Sequence, residues 1–391
     1  MNESRHSLAK IRVPELDGLR GIAILLVLIH HYLCGRMPTD TYPVLHWVDV
    51  VFRLAWSGVD LFFVLSGFLI GGILLEQRAA KNFFSTFFLR RGCRVLPLYF
   101  AWLGLYVLML QLLPPGQGRG WVDETLAPRY PGWAYVFLVQ NFFVAGHEIF
   151  GPLWQVPSWS LALEMQFYLL APLIIRFVPE RKLPLMLLVV IALVSFLRLF
   201  MYMFYPSIFV YTLLPCRMDA LLLGMLCACL LRDDRARRWL ENGQVKLHVA
   251  LALLLGGIAV LNVLPFCSRT SFEMVWFGYS WLGLFYSCLL LITVTASGGV
   301  IVVVMRNQIL RYLGIIAYGV FLMHLGIAGL IHGWMRGSNL NINGAADALA
   351  TIAALGVTLL VATMSWRFFE KPIVDWGRSF GYENGMRRAK K

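Results

Sequence analysis

Stretches of this sequence near 17–35, 57–76, 95–113, 159–178, 184–204, 211–231, 247–265, 274–296, 310–333 and 346–367 are each apolar for about 20 residues, the length a helix needs to cross a bilayer. Hydrocarbon offers no partner to a backbone N–H or C=O, so each such stretch must satisfy its own hydrogen bonds as a helix. The expected fold is therefore an all-α polytopic membrane protein with about ten transmembrane helices. Composition agrees: 59% of the 391 residues are hydrophobic and only 14% are charged, which excludes an ordinary soluble globule.

A further apolar piece, Trp133 to Gly146, is only about 14 residues long, too short for a span. If it does not cross, about 25 Lys and Arg fall on the cytoplasmic side and about six outside, as the positive-inside rule requires. If it crossed, the basic loop Arg232 to Arg238 and the tail Arg387 to Lys391 would change sides. The expectation is thus that 114–158 is a long outer loop with an interfacial or re-entrant piece, and that both termini are cytoplasmic. The net charge of +13 reads as a topology signal, because the basic residues sit in short connections, and no nucleic-acid partner is expected. Arg5, Lys10 and Arg12 precede a full-length span with no small-residue cleavage site after it, which argues against a signal peptide. No repeat or linker divides the chain, so residues 1–376 are expected to form one transmembrane domain and 377–391 a basic cytoplasmic tail. Cys216, Cys227, Cys229 and Cys288 lie within apolar segments, and none of the seven cysteines has metal-ligand spacing; neither a disulfide framework nor a metal site is expected.

Ionisable residues inside spans are costly and point to function. The first span holds Arg20 and His31, eleven residues apart, so they share a helix face and stand about 16 Å apart along the axis. His30 points about 80° away. A neutral imidazole suits proton abstraction from an alcohol, and Arg20 suits an anionic group or a carboxylate. Gly58, Ser66, Gly67, Gly71 and Gly72 of the second span read as close helix packing, or as a small-residue wall that lets a ligand reach the interior. Asp60 there can cap the helix or orient a histidine. Arg90, Arg91 and Arg94 open the third span, as a phosphate clamp or as topology anchors. Glu164 lies a turn inside the fourth span, as a binding or helix-orienting group. In the sixth, Arg217 and Asp219 fall on roughly opposite faces, which disfavours pairing with each other. Tyr318 and His324 lie in the ninth, about 9 Å apart along the axis, and Glu370, Lys371 and Pro372 look like a helix stop. Trp121, Trp133, Trp154 and Trp159 could serve as sugar platforms or as interface anchors.

Leu16-Asp17-Gly18-Leu19-Arg20-Gly21 with His31, Gly58-Val59-Asp60-Leu61-Phe62-Phe63 through Ser66-Gly67-Phe68, the Arg90/Arg91/Arg94 cluster before Pro97, Trp159-Ser160-Leu161 with Glu164 and Gln166-Phe167-Tyr168, Arg217 with Asp219, and Tyr318 with His324 together resemble the integral-membrane acyltransferase-3 family, in order and over nearly the whole chain. The resemblance implies a ten-helix fold, residence in a bacterial inner membrane, and O-acylation of a sugar in a cell-surface glycan. It also implies an acyl-CoA donor taken from the cytoplasm, with His31 and Arg20 as the pair whose loss abolishes transfer. Two departures stand out: many relatives have two adjacent glutamates where this chain has Glu164-Met165, and the fused extracytoplasmic hydrolase-like domain of some members is not seen after the last helix.

The expectation is a membrane O-acyltransferase moving an acetyl or other short acyl group from acyl-CoA, its co-substrate, to a glycan or glycoside hydroxyl, with no tightly bound cofactor. His31, Arg20, Glu164 and Asp60 are the expected catalytic group, and Arg90, Arg91, Arg94 and Arg20 the expected CoA site. Ser66, Trp159, Arg217, Asp219, Tyr318 and His324 are the expected acceptor contacts. A proton-coupled transporter or flippase is the alternative, and it would call for inverted repeats and broken helices that the sequence does not display.

Overall fold

The computed structural model describes residues 14–39, 42–263 and 268–383. Arg5, Lys10, Arg12 and the tail segment Arg387 to Lys391 lie outside the described residues. The described chain is helical, with no strand among the described residues. Its long helices are α1 (Pro14–Tyr32), α2 (Gly58–Glu76), α3 (Phe83–Leu112), α4 (Ser158–Phe177), α5 (Leu183–Phe204), α6 (Leu214–Arg232), α7 (Gln244–Val263), α8 (Tyr279–Thr295), α9 (Gln308–Arg336) and α10 (Ala345–Ser365). Among the described residues, α2 to α10 or the longer segments containing them make nine helices long and apolar enough to cross a membrane. The protein is a multi-pass membrane protein. α1 is of spanning length but carries Glu15, Asp17 and Arg20 in its first two turns. These charges are met locally: Glu15 accepts from Arg306 at 2.5 Å and Asp17 from Arg20 at 3.0 Å, beside the helix N-terminus that favours carboxylates.

Glycines set the closest approaches. A Cβ on Gly21 would lie 2.0 Å from the carbonyl oxygen of Leu310, and one on Gly314 would lie 1.8 Å from that of Asp17. α1 and α9 therefore run side by side, backbone against backbone, as small residues permit in a membrane bundle. α2 and α6 meet in the same way through Gly67 and Gly224.

Residues 114–157 do not form a long helix. They fold into the short helices Gly120–Leu126, which packs on α3 and α9, Gly132–Val136, and Gln140–His147, which packs on α4 and on the short helix Ser207–Thr212. Trp154 of this segment is 1% exposed and stacks on Trp102 at 4.1 Å, each indole N–H donating to the other's carbonyl, so Trp154 is a packing residue and not a free platform. Trp133 remains 54% exposed.

The expected stop at Glu370-Lys371-Pro372 is absent. α10 passes through a π turn, Trp366–Glu370, into a helix Lys371–Ser379, with Pro372 in its first turn, where a missing N–H costs nothing. The described residues beyond Trp376 are tied to the start of α3: Lys81 N–H donates to Glu383 O at 3.1 Å, and Asn82 donates to Gly381 O at 2.9 Å.

Candidate active site

The N-terminal part of α1, the middle of α2 and the first turns of α3 converge with α4 and α9 on a cavity of about 130 Å³. Arg20, Ser66, Arg91, Arg94, Glu164, Tyr168 and Tyr318 supply its polar lining. Much of the remainder is apolar, with Phe62, Phe63, Leu69, Ile70 and Phe321 among the lining residues. Three guanidiniums thus face one carboxylate. Glu164 Oε1 accepts from the Ser66 hydroxyl and from the Tyr168 hydroxyl, the latter at 2.5 Å. Tyr318 donates to Val95 O at 2.7 Å, and Arg94 lies 5.1 Å from the centre of the Trp366 ring. Guanidiniums beside an apolar throat have the chemistry to receive an anion with an aliphatic arm.

His31, at the far end of α1, does not line this cavity. Its Nδ1 lies 3.0 Å from Val27 O and 3.2 Å from Nε2 of His324 on α9. His324 is fully buried, with its Nδ1 at 2.7 Å from Phe321 O. Phe321 links the two places: it lines the cavity one turn before His324, and its ring meets Phe62 edge to face at 5.9 Å. His30 sits against His31 at 4.9 Å between ring centres, and its buried Nδ1 has no hydrogen-bond partner among the described residues.

The other expected residues fall elsewhere. Asp60 does not orient His31; it pairs with Arg217 at 2.7 Å, both 1% exposed, and the Arg217 guanidinium lies 3.9 Å from the centre of the Tyr279 ring. Asp60 Oδ2 and Arg217 Nε and Nη1 have no further hydrogen-bond partner among the described residues. Glu164 does not touch His31 either, since the cavity wall holds it against Ser66 and Tyr168. Asp219 accepts from Arg198 at 2.9 Å and from Ser280 at 2.6 Å. Arg217 and Asp219 are thus interhelical ties, each finding its partner on another helix as a charge in the membrane must. Trp159 packs on Tyr211 at 4.7 Å. Arg90 does not reach the cavity: its guanidinium donates to Phe380 O at 2.6 and 2.9 Å and to Arg378 O at 3.1 Å.

Two residues were given no role from sequence, Arg198 and, beyond its place in a family motif, Tyr168. Arg198 is the lone charge in the fifth apolar run and could have been flagged by that alone. Tyr168 stands one turn after Glu164 on one helix face, a spacing that brings side chains together.

The family model described as Acyltransferase domain matches residues 13–367. The chain is 24% identical over 376 residues to the O-acetyltransferase OatA of Staphylococcus aureus strain NCTC 8325, covering 92% of this chain and 57% of that protein. It is 26% identical over 381 residues to a protein of S. aureus strain COL that is provisionally named an O-acetyltransferase, again covering 92% of this chain and 57% of the relative. The chain therefore spans little more than half the length of these relatives. No solved structure matches it.

Proposed function

The chain belongs to the acyltransferase-3 family of integral-membrane acyltransferases, and from that premise we propose that it is an O-acetyltransferase using acetyl-CoA, or another short acyl-CoA, as donor and a sugar hydroxyl of a cell-surface glycan as acceptor. The observation that supports this reading is the convergence of Arg20, Arg91 and Arg94 on an apolar-walled cavity that Phe321 also lines, one turn before the His324 that meets His31. The phosphates of CoA are held by the guanidiniums, which form strong charge-assisted bonds to such oxygens. The pantetheine arm lies along the apolar wall, spanning the roughly 16 Å that separate Arg20 from His31 on the helix. The thioester then stands at His31.

His31 accepts the proton of the acceptor hydroxyl as its oxygen attacks the thioester carbon. The tetrahedral intermediate collapses with loss of the CoA sulfur, which recovers the proton from the imidazolium. General-base help of this kind contributes roughly 10²–10⁴ in rate. Glu164, held by Ser66 and Tyr168, shapes the donor cavity and is not the base. The donor enters from the cytoplasm and the acceptor is met at the outer end of α1, consistent with the excess of basic residues at the Arg20 end. The likeness to proteins named O-acetyltransferase supports the acetyl group and an oxygen acceptor.

The test is release of CoA thiol from acetyl-CoA by the purified protein in nanodiscs with glycan acceptors, compared with Arg94→Ala and His31→Ala. Turnover that depends on both residues supports the reading. Turnover unchanged in His31→Ala at matched protein level would overturn the assignment of the base, and no acetyl-CoA binding by the intact protein would overturn the donor.

A further inference from the structure

We infer that His324 is a positioning residue that fixes the tautomer of His31, so that Nδ1 of His31 carries its proton and Nε2 presents the free lone pair to the acceptor hydroxyl. The inference deepens the acyl-transfer reading and rests on it for its catalytic meaning. It is carried by the polarity of a short hydrogen-bond chain. A neutral imidazole has one N–H donor and one acceptor nitrogen. Nδ1 of His324 faces two carbonyl oxygens, Phe321 O at 2.7 Å and Val320 O at 3.2 Å, and a carbonyl only accepts. The His324 proton is therefore on Nδ1, and its Nε2 is an acceptor. That Nε2 lies 3.2 Å from Nδ1 of His31, which also faces Val27 O at 3.0 Å. With two acceptors before it, Nδ1 of His31 must be the donor, leaving Nε2 of the same ring as the base. The reverse assignment would place lone pairs of both rings against carbonyl oxygens, the costly arrangement for buried polar groups.

The two helices are built to hold this pair. The glycine contacts of α1 with α9 bring the backbones together. One residue beyond His31, the Tyr32 hydroxyl donates to His324 O at 3.1 Å and lies 3.3 Å from the Thr358 hydroxyl of α10. His30 has no such chain among the described residues, so the geometry selects His31 of the two neighbours.

The experiment combines nitrogen-15 magnetic resonance of histidine-labelled protein in nanodiscs, with the His31 signals assigned by their loss in His31→Ala, and CoA-thiol release from acetyl-CoA by His324→Gln and His324→Leu. Gln can present an oxygen near the position of Nε2; Leu cannot. The expected results are a wild-type His31 protonated on Nδ1, and kcat falling roughly tenfold to a hundredfold in His324→Leu with KM for acetyl-CoA unchanged. His324→Gln should recover most of that loss. A wild-type His31 protonated on Nε2 would overturn the inference, as would equal losses of kcat in the Gln and Leu forms. A wild type that shows the Nδ1 tautomer but no turnover with any acceptor would sink the acyl-transfer reading and leave the tautomer assignment standing.

Discussion

Two regions of the bundle concentrate charge, and they differ in what the charges face. In the Asp60–Arg217 and Asp219–Arg198 ties each carboxylate meets a guanidinium, and none of the four side chains is more than 1% exposed. Around the cavity, Arg20, Arg91 and Arg94 face Glu164 across open space, and Arg20 has Asp17 at its back. The residue types are the same. Charges that neutralise each other between helices hold those helices in register, whereas guanidiniums that line a void can take up an anionic ligand. Intramembrane charge is therefore a sign of function only after its partner is known.

The largest effect expected is in His31→Ala, which should lower acetyl transfer roughly 10²–10⁴-fold while leaving the melting temperature in detergent close to wild type. A fall in melting temperature of the same variant would move His31 into the class of structural ties. Next is Arg217→Ala, which strands Asp60 without its partner and should destabilise the fold by about 3–5 kcal/mol, read as early melting by fluorescence-detected size exclusion. Replacing both partners, Asp60→Asn with Arg217→Met, should restore part of that loss; a normally stable single variant would break the contrast between the two regions. Arg94→Ala should raise KM for acetyl-CoA about tenfold to a hundredfold, the usual worth of one charged hydrogen bond, with thermal stability little changed. Arg90→Ala is the smallest: its guanidinium serves the carbonyls of Arg378 and Phe380, so KM should stay within about twofold and stability within about 1 kcal/mol. Equal KM effects in the Arg90 and Arg94 variants would mean that the C-terminal segment leaves Arg90 when CoA binds.

Much of the architecture was legible because a bilayer imposes length and apolarity on each span. The expected runs correspond to α1 to α10, and the short piece at Trp133 to Gly146 does not form a spanning helix. Helical periodicity also placed Arg20 and His31 on one face, since that geometry lies within a single segment. Less legible was the end of α10, where a proline after a glutamate and a lysine reads as a stop. A π turn let the helix continue instead.

By itself, then, the sequence determined which segments are apolar over about the length of a span, which side chains are too costly to lie in lipid without a purpose, and the family to which the whole order of motifs belongs. Only the tertiary structure decided how those side chains divide between holding the fold and lining a cavity. Arg90, Arg91 and Arg94 lie within an arc of about 100° on one helix, so periodicity permits any of them to face inward. The carbonyls of the C-terminal segment claim the first and leave the other two to the cavity. Asp60 and Glu164 were the expected partners of His31, and the rotation of their helices, set by glycine contacts and ion pairs between distant segments, put His324, expected as an acceptor contact, in that place instead. Periodicity is a property of one helix, whereas partnership depends on how helices are turned against one another, and packing across the bundle fixes that turn.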